Sequence, residues 1–309
     1  MPTTRIGDIE LYYDESGSGE PLLLVMGLGA DANAWTRQRD AFSQRHRTIV
    51  FDNRGVGRSS KPPGPYSTRQ MAADAAALLD RLGIERAHVV GVSMGGMIAQ
   101  ELALGHAERV GTLVLVCTYP EPDGVAHATR ENVFRHFIGA SSSDASSAHA
   151  PSGNGASGSA TNGNLTHAAQ ALAAVDPMTL FQYLLPTVFS ERFIREELAL
   201  LAPELTAGLV HGFSMEALLA QVGACMTHHT TDRLHRIDRP TLVLTGSDDR
   251  LIPPAHSDLL AARIPGARLV SIAGGTHGLN LEMADRFNAE VLDFLAAHPL
   301  AERSLGGRS

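Results

Sequence analysis

The sequence predicts an α/β fold with a mostly parallel central sheet flanked by helices. Three observations predict it. Short Val- and Leu-rich runs recur along the chain, helical periodicity fills most gaps between them, and the runs are bounded by Gly or Pro. Strands buried on both faces read as continuous apolar runs of this kind, and their alternation with helices favours parallel pairing through crossovers.

The elements follow in order. Residues 4–15 (TRIGDIELYYDE) resemble two short strands joined at Gly7-Asp8, an antiparallel edge. Buried strands are expected within 21–29, 47–55, 87–93, 111–117, 240–249 and 267–277. A helix over 68–82 begins at Thr68 as its cap and sets Met71, Ala75, Leu78, Leu79 and Leu82 at helical spacing. Helices are also expected at 95–104 and 255–263.

The alternation stops between about 120 and 238, which predicts a helical cap inserted after the sixth strand, with helices at 126–138, 165–174, 178–185, 190–201 and 213–228. The sheet domain is then 1–119 with 239–299. Within the insertion, 22 of the 25 residues in 140–164 are Ala, Ser, Gly, Asn or Thr, so little apolar area is available to offset ordering entropy and a loop is expected. Residues 300–309 are expected to form a flexible tail.

Composition narrows the function. With 25 Lys and Arg against 33 Asp and Glu, the net charge is −8, which argues against a general nucleic-acid binder. Two cysteines, Cys117 and Cys225, make no disulfide framework. The start of the chain has no basic-then-apolar leader and no run of about 18 apolar residues occurs, so no membrane insertion and a cytoplasmic location are expected.

The chemistry begins at Gly91-Val92-Ser93-Met94-Gly95, between a strand-like and a helix-like run. A nucleophile elbow needs that context: a sharp strand-to-helix turn lifts the serine hydroxyl over the strand end, and small residues two before and two after let the backbones pass. A serine needs a base, and the base an orienting carboxylate. His277, in Gly274-Gly275-Thr276-His277-Gly278, is the one histidine of 14 that directly follows the last strand. Asp248 and Asp249 both follow the preceding strand, and either suits the acid. The chain order Ser, Asp, His is that of the α/β hydrolases.

With these motifs the chain resembles the α/β-hydrolase superfamily, close to the bacterial carboxylesterase and lipase-like serine hydrolases, across most of 5–295. Leu24–Gly29 is similar to the family's oxyanion loop, Asp52-Asn53-Arg54-Gly55-Val56-Gly57-Arg58-Ser59 to its Asp-x-Arg-Gly-x-Gly-x-Ser turn, and Gly246-x-x-Asp249-x-x-x-Pro253 to its acid turn. The resemblance implies the α/β-hydrolase fold, selects Asp249 over Asp248, and implies backbone amides of Leu28 and Met94 as the oxyanion hole. It implies ester hydrolysis through an acyl-enzyme on an apolar small-to-medium ester, with no cofactor and no metal. Carbon–carbon bond or lactone hydrolysis, perhydrolysis, and a non-enzymatic small-molecule receptor are alternatives on the same fold. Many relatives carry His-Gly where this chain has Met26-Gly27.

Other residues read as structural. Arg54 is expected to pair with Asp52. His228, Asp232 and His235 share one helical face, and a solvated helix end is the reading preferred to a metal site. Cys117 and Cys225 are expected as core thiols. Apolar side chains from Met178 to Leu219 are expected to pack the cap and in part to line an acyl pocket.

Overall fold

The computed structural model describes residues 2–122, 177–210 and 212–300. Its centre is an eight-stranded sheet: β1 (Thr3–Ile6), β2 (Ile9–Ser16), β3 (Glu20–Val25), β4 (His46–Phe51), β5 (Ala87–Val92), β6 (Val110–Val116), β7 (Thr241–Gly246) and β8 (Arg268–Ile272). The order across the sheet is β1-β2-β4-β3-β5-β6-β7-β8. The pairs β1–β2 and β2–β4 are antiparallel and the rest are parallel. The expected antiparallel edge and the six expected runs all form strands, but β8 is not the buried strand expected: it lies at the sheet's edge and only Ile272 of its five residues is buried.

The apolar runs are continuous because both sheet faces are covered. Successive side chains on a strand point to opposite faces. Leu23 and Val25 of β3, Val89 of β5, and Leu113 and Leu115 of β6 therefore enter one buried cluster, with α2 (Thr68–Arg81) and α3 (Met94–Gly105). Leu22, Leu24, Val90, Val92, Val114 and Val116 enter the other, with Trp35, Phe42, Phe287 and Phe294. Phe42 belongs to α1 (Thr36–Ser43), and Phe287 and Phe294 to the C-terminal helix Ala284–Ala297.

The sequence reading missed two helical segments. One is the 3₁₀ turn Ala32–Trp35 together with α1, into which it leads; the other is the pair Leu279–Glu282 and Ala284–Ala297 at the chain's end. Both supply the second face. α2 spans the expected residues, but its cap is Ser67, whose hydroxyl accepts from the Gln70 amide; Thr68 is already helical. α4 (Pro177–Val188) matches the helix expected at 178–185, and α7 (Met215–Met226) lies within the one expected at 213–228. The helix expected over 190–201 is two, α5 (Glu191–Glu196) and α6 (Leu198–Val210). α8 (Ala255–Arg263) forms as expected.

Of the cap expected at 120–238, residues 123–176 lie outside the described residues, with the helices expected at 126–138 and 165–174 and the loop at 140–164. Chain contacts group Met1–Pro122 with Leu185–Ser309, and Asp123–Leu184 separately. Residues 301–309 also lie outside; Leu300 does not, and its amide donates to Glu20 Oε1 at 2.7 Å. Among the described residues, no helix is long and apolar enough to cross a membrane.

The topology determines where a site can form. From β3 the chain passes to β4 on one side, then returns past β3 to β5 on the other. The loops after β3 and β5 therefore diverge, leaving a crevice at the carboxyl ends of the strands, the place where open α/β sheets bind ligands.

Candidate active site

Ser93 stands in that crevice. Its backbone is at φ 58°, ψ −121°, a left-handed conformation for a non-glycine residue. Such a conformation costs on the order of 1–3 kcal/mol and persists where neighbours over-determine it. The neighbours here are named. The Ser93 amide donates to Val116 O at 2.9 Å, and Ser93 O accepts from Gly96 N at 2.9 Å and from the Thr118 hydroxyl at 2.8 Å. A Cβ on Gly91 would lie 2.3 Å from Gly95 O, and one on Gly95 would lie 2.0 Å from Val25 O of β3. Only glycine allows β5, β3 and α3 to meet this closely. Ser93 is therefore held at the N-terminus of α3, whose first N–H groups have no intrahelical acceptor. Met94, at that end, supplies one of them.

The loop after β3 lies against the serine. A Cβ on Gly27 would be 3.1 Å from Ser93 Cβ and 3.7 Å from Ser93 Oγ. Two buried amides pin this loop. Asn53 Nδ2 donates to Met26 O at 3.0 Å, and the Gly29 amide donates to Gln221 Oε1 at 2.9 Å. Gln221, on α7, also donates to Arg54 O at 2.8 Å. Leu28 lies between the pinned residues with its side chain 40% exposed.

Asp249 and His277 come together from the ends of β7 and β8. His277 Nδ1 is 2.9 Å from Asp249 Oδ2, and both are buried. Asp249 Oδ1 accepts from the amides of Leu251 at 2.9 Å and Ile252 at 2.8 Å, so the carboxylate is held at both oxygens. The two loops touch closely because a Cβ on Gly246 would lie 2.1 Å from Gly275 O. Asp248 is exposed and accepts from its neighbour Ser247 at 2.7 Å. Of the two adjacent carboxylates, only Asp249 faces the imidazole. Gly278 carries Phe189 beside the histidine, since a Cβ there would lie 2.2 Å from that ring. Phe189, Phe193, Leu198 and Leu281 form a separate apolar cluster at this point.

Two readings of nearby residues need correction. Arg54 does not pair with Asp52. Its Nε and Nη2 bond both oxygens of Asp74 on α2 at 2.6 and 2.7 Å, and the pair is buried. Asp52 instead accepts from the Ala32 and Arg58 amides, each at 2.8 Å, and burial pushes its carboxyl up to about 6 against those two bonds. Gly57 is required there, because its Cβ would lie 2.2 Å from Asp52 Oδ2. Second, His228 is not on a solvated helix end. It precedes a 3₁₀ turn (Thr231–Arg236), is buried, and bonds Thr68 Oγ1 at 2.9 Å through Nδ1. Burial pushes it down to about 3, with nearby Arg233 and His229 adding to the shift. Cys117 is the core thiol expected, and it lies beside the acid and the histidine. Its backbone has φ 45°, and its Sγ lies within 4.8 Å of donor atoms of both Asp249 and His277. Burial, then the Asp249 charge, raises the thiol well above its ordinary value, so it stays protonated and inert.

Thr118, Asn53 and Gln221 support the site without any local sequence signal. Each is placed by a neighbouring strand or helix far away in sequence.

Comparisons with known proteins agree with this fold. The model of the alpha/beta hydrolase fold family matches residues 20–152. A relative from Azorhizobium caulinodans, named as a carbamate hydrolase, RutD, is 33% identical over 294 residues, covering 95% of this chain and 98% of that protein. The crystal structure of the enol-lactonase from Burkholderia xenovorans LB400 superposes with a TM-score of 0.75 at 27% identity, covering 96% of this chain and all of the other. A thermophilic esterase from Thermogutta terrifontis does so at 0.75 and 26%, covering 96% and 97%. With an elbow serine after β5, an acid after β7, a histidine after β8 and a relative matched over nearly its whole length, the chain belongs to the α/β-hydrolase family and is a hydrolase.

Proposed function

We propose that the protein is a serine hydrolase that cleaves carboxylic esters through an acyl-enzyme, with Ser93 as nucleophile, His277 as general base and acid, and Asp249 as the orienting carboxylate. The observation that carries this reading is the His277–Asp249 bond at 2.9 Å, with the carboxylate's second oxygen held by two amides. That bond keeps the proton on Nδ1 and leaves Nε2 free to take the serine proton. Ser93 Oγ attacks the carbonyl, the amides of Met94 and Leu28 receive the developing oxyanion, and the alcohol leaves with the proton from His277. Water repeats the cycle and frees the acid. None of these steps uses a cofactor or a metal.

The substrate is proposed to be a small-to-medium uncharged ester with an apolar group. The Phe189 cluster beside His277 and the exposed Leu28 beside Ser93 support this. A second reading, of cyclic esters or carbamates, is favoured by the lactonase fold match and the carbamate hydrolase name of the relative. All three share an acyl carbonyl that the same serine can attack. The helical cap is proposed to span 120–238.

The test is a panel of p-nitrophenyl esters of increasing acyl length, a set of lactones and a carbamate, with wild type and Ser93→Ala. Loss of one triad member typically costs on the order of 10⁴–10⁶ in kcat. Turnover of one class that Ser93→Ala abolishes supports the proposal and names the substrate class. Absence of turnover on every class would return the fold to a receptor role, and activity surviving in Ser93→Ala would reject the nucleophile.

A further inference from the structure

The end of the sheet opposite Ser93 holds a second cluster of functional side chains. Glu20 opens β3, His46 opens β4 and His88 is the second residue of β5. In the parallel register Glu20 lies beside His46, and His88 lies beside Leu22. His88 is five residues before Ser93, which directly follows the same strand, so the two are about 16 Å apart at 3.3 Å per residue. The cluster is therefore separate from the triad.

We propose that Glu20, His46 and His88 form a site for a divalent transition-metal ion of the zinc type. The donor atoms of the three side chains lie within 4.8 Å of one another. His88 Nε2 and Glu20 Oε2 are already 3.2 Å apart. Two ligands of one tetrahedral ion, each about 2.1 Å from it, stand roughly 3.4 Å apart. Two imidazoles and one carboxylate are a donor set that zinc accepts, with a fourth position for water.

The surroundings orient these donors. His88 Nδ1 is 2.8 Å from Thr112 Oγ1, so with a metal on Nε2 its other nitrogen donates to a fixed oxygen. Ligating histidines are commonly held in this way. Glu20 Oε1 accepts the Leu300 amide at 2.7 Å, which leaves Oε2 for the ion. The independent observation is His46. It is only 7% exposed, its ring lies 5.6 Å from that of His88, and its Nδ1 is buried without a hydrogen-bond partner. A buried, unpartnered imidazole nitrogen is costly in a purely structural cluster. A metal ion accounts for its retention beside two further donors.

A metal here would be a structural clip. Leu300 is bonded to Glu20 and packs over Gly111, where a Cβ would lie 2.0 Å from Leu300 Cδ2. The ion would thus tie the C-terminal segment to the starts of three central strands.

The experiment uses untagged full-length protein, stripped with a chelator and titrated with zinc chloride at pH 7.5 by calorimetry. Cobalt(II) substitution is read by its visible absorption, and the melting temperature is followed with and without zinc. Wild type is expected to take one equivalent, to give a tetrahedral cobalt spectrum and to melt higher with zinc. Glu20→Gln, which can still accept from Leu300, and His46→Gln are each expected to weaken zinc binding at least tenfold and to lose the cobalt spectrum, while ester turnover is unchanged. His229→Ala, which removes an exposed imidazole beside Glu121 and Asp232, is expected to keep the site. Absence of saturable binding in wild type would overturn the proposal. So would binding that survives in both Glu20→Gln and His46→Gln, or that is lost in His229→Ala. If one of the two ligand variants fails to fold, the other and the wild-type cobalt spectrum still decide.

Discussion

Asp249→Asn is the perturbation whose cost follows most directly from the geometry. The carboxylate makes two kinds of bond. Oδ2 faces His277 Nδ1 at 2.9 Å, while Oδ1 accepts the Leu251 and Ile252 amides. An asparagine can place its oxygen on only one side. Kept on the amides, the oxygen leaves the NH₂ pointing at His277 Nδ1, which must then accept, moving the ring proton to Nε2 and blocking the base. Turned toward His277, it restores the tautomer but drives the NH₂ into two buried N–H donors, and the arrangement with satisfied amides prevails. The expected loss is about 10³–10⁴ in kcat, equal to roughly 4–5.5 kcal/mol of barrier. Asp248→Asn changes an exposed side chain bonded to its own neighbour, so it should cost less than about tenfold, or 1.4 kcal/mol. The assay is kcat on the best ester from the panel, with circular dichroism to verify that both variants fold. Comparable small losses, or a larger loss in Asp248→Asn, would refute the assignment of the acid.

Further predictions concern the frame. Gly95→Ala places a methyl 2.0 Å from Val25 O, so β3 or the elbow must shift; denaturant melts should show a loss of about 3 kcal/mol or more, with activity falling as well. Asp74→Ala leaves the buried Arg54 guanidinium without its bidentate partner and should destabilise by about 3–5 kcal/mol in the same measurement. The pH dependence has two opposed contributions. His228 is held near 3, below its unfolded value of 6.5, so its contribution is present above pH 6.5 and is lost as pH falls toward 3; His228→Gln should flatten that decline in urea titrations. Asp52 is raised to about 6 from 3.8, so its contribution is present below pH 3.8 and is lost as pH rises through 6; Asp52→Asn should make stability climb more steeply with pH between 4 and 6. A variant whose stability–pH curve runs parallel to wild type would remove that residue from the account.

What the sequence determined by itself was local. The buried strands were legible because an apolar run covered on both faces needs no partner to be recognised, and the elbow because Gly91, Ser93 and Gly95 satisfy a steric requirement within five residues. Helix limits were legible where periodicity was strong, as in α2, though the cap shifted by one residue to the serine that could reach the Gln70 amide. The helices Ala32–Ser43 and Leu279–Ala297 escaped notice, their apolar positions being too sparse to stand out without the sheet face they cover. Tertiary structure decided the pairings. Asp248 and Asp249 are neighbours of the same type, and only the contact between the β7 and β8 loops turns one toward His277. Arg54 is two residues from Asp52 in sequence yet bonds Asp74, twenty residues on, because α2 packs beneath that turn. His228 sits in a polar run that reads as solvated, but the chain there folds inward onto Thr68. Glu20, His46 and His88 carry no spacing signal, since parallel strands joined by long crossovers bring together residues whose separation along the chain says nothing of their register.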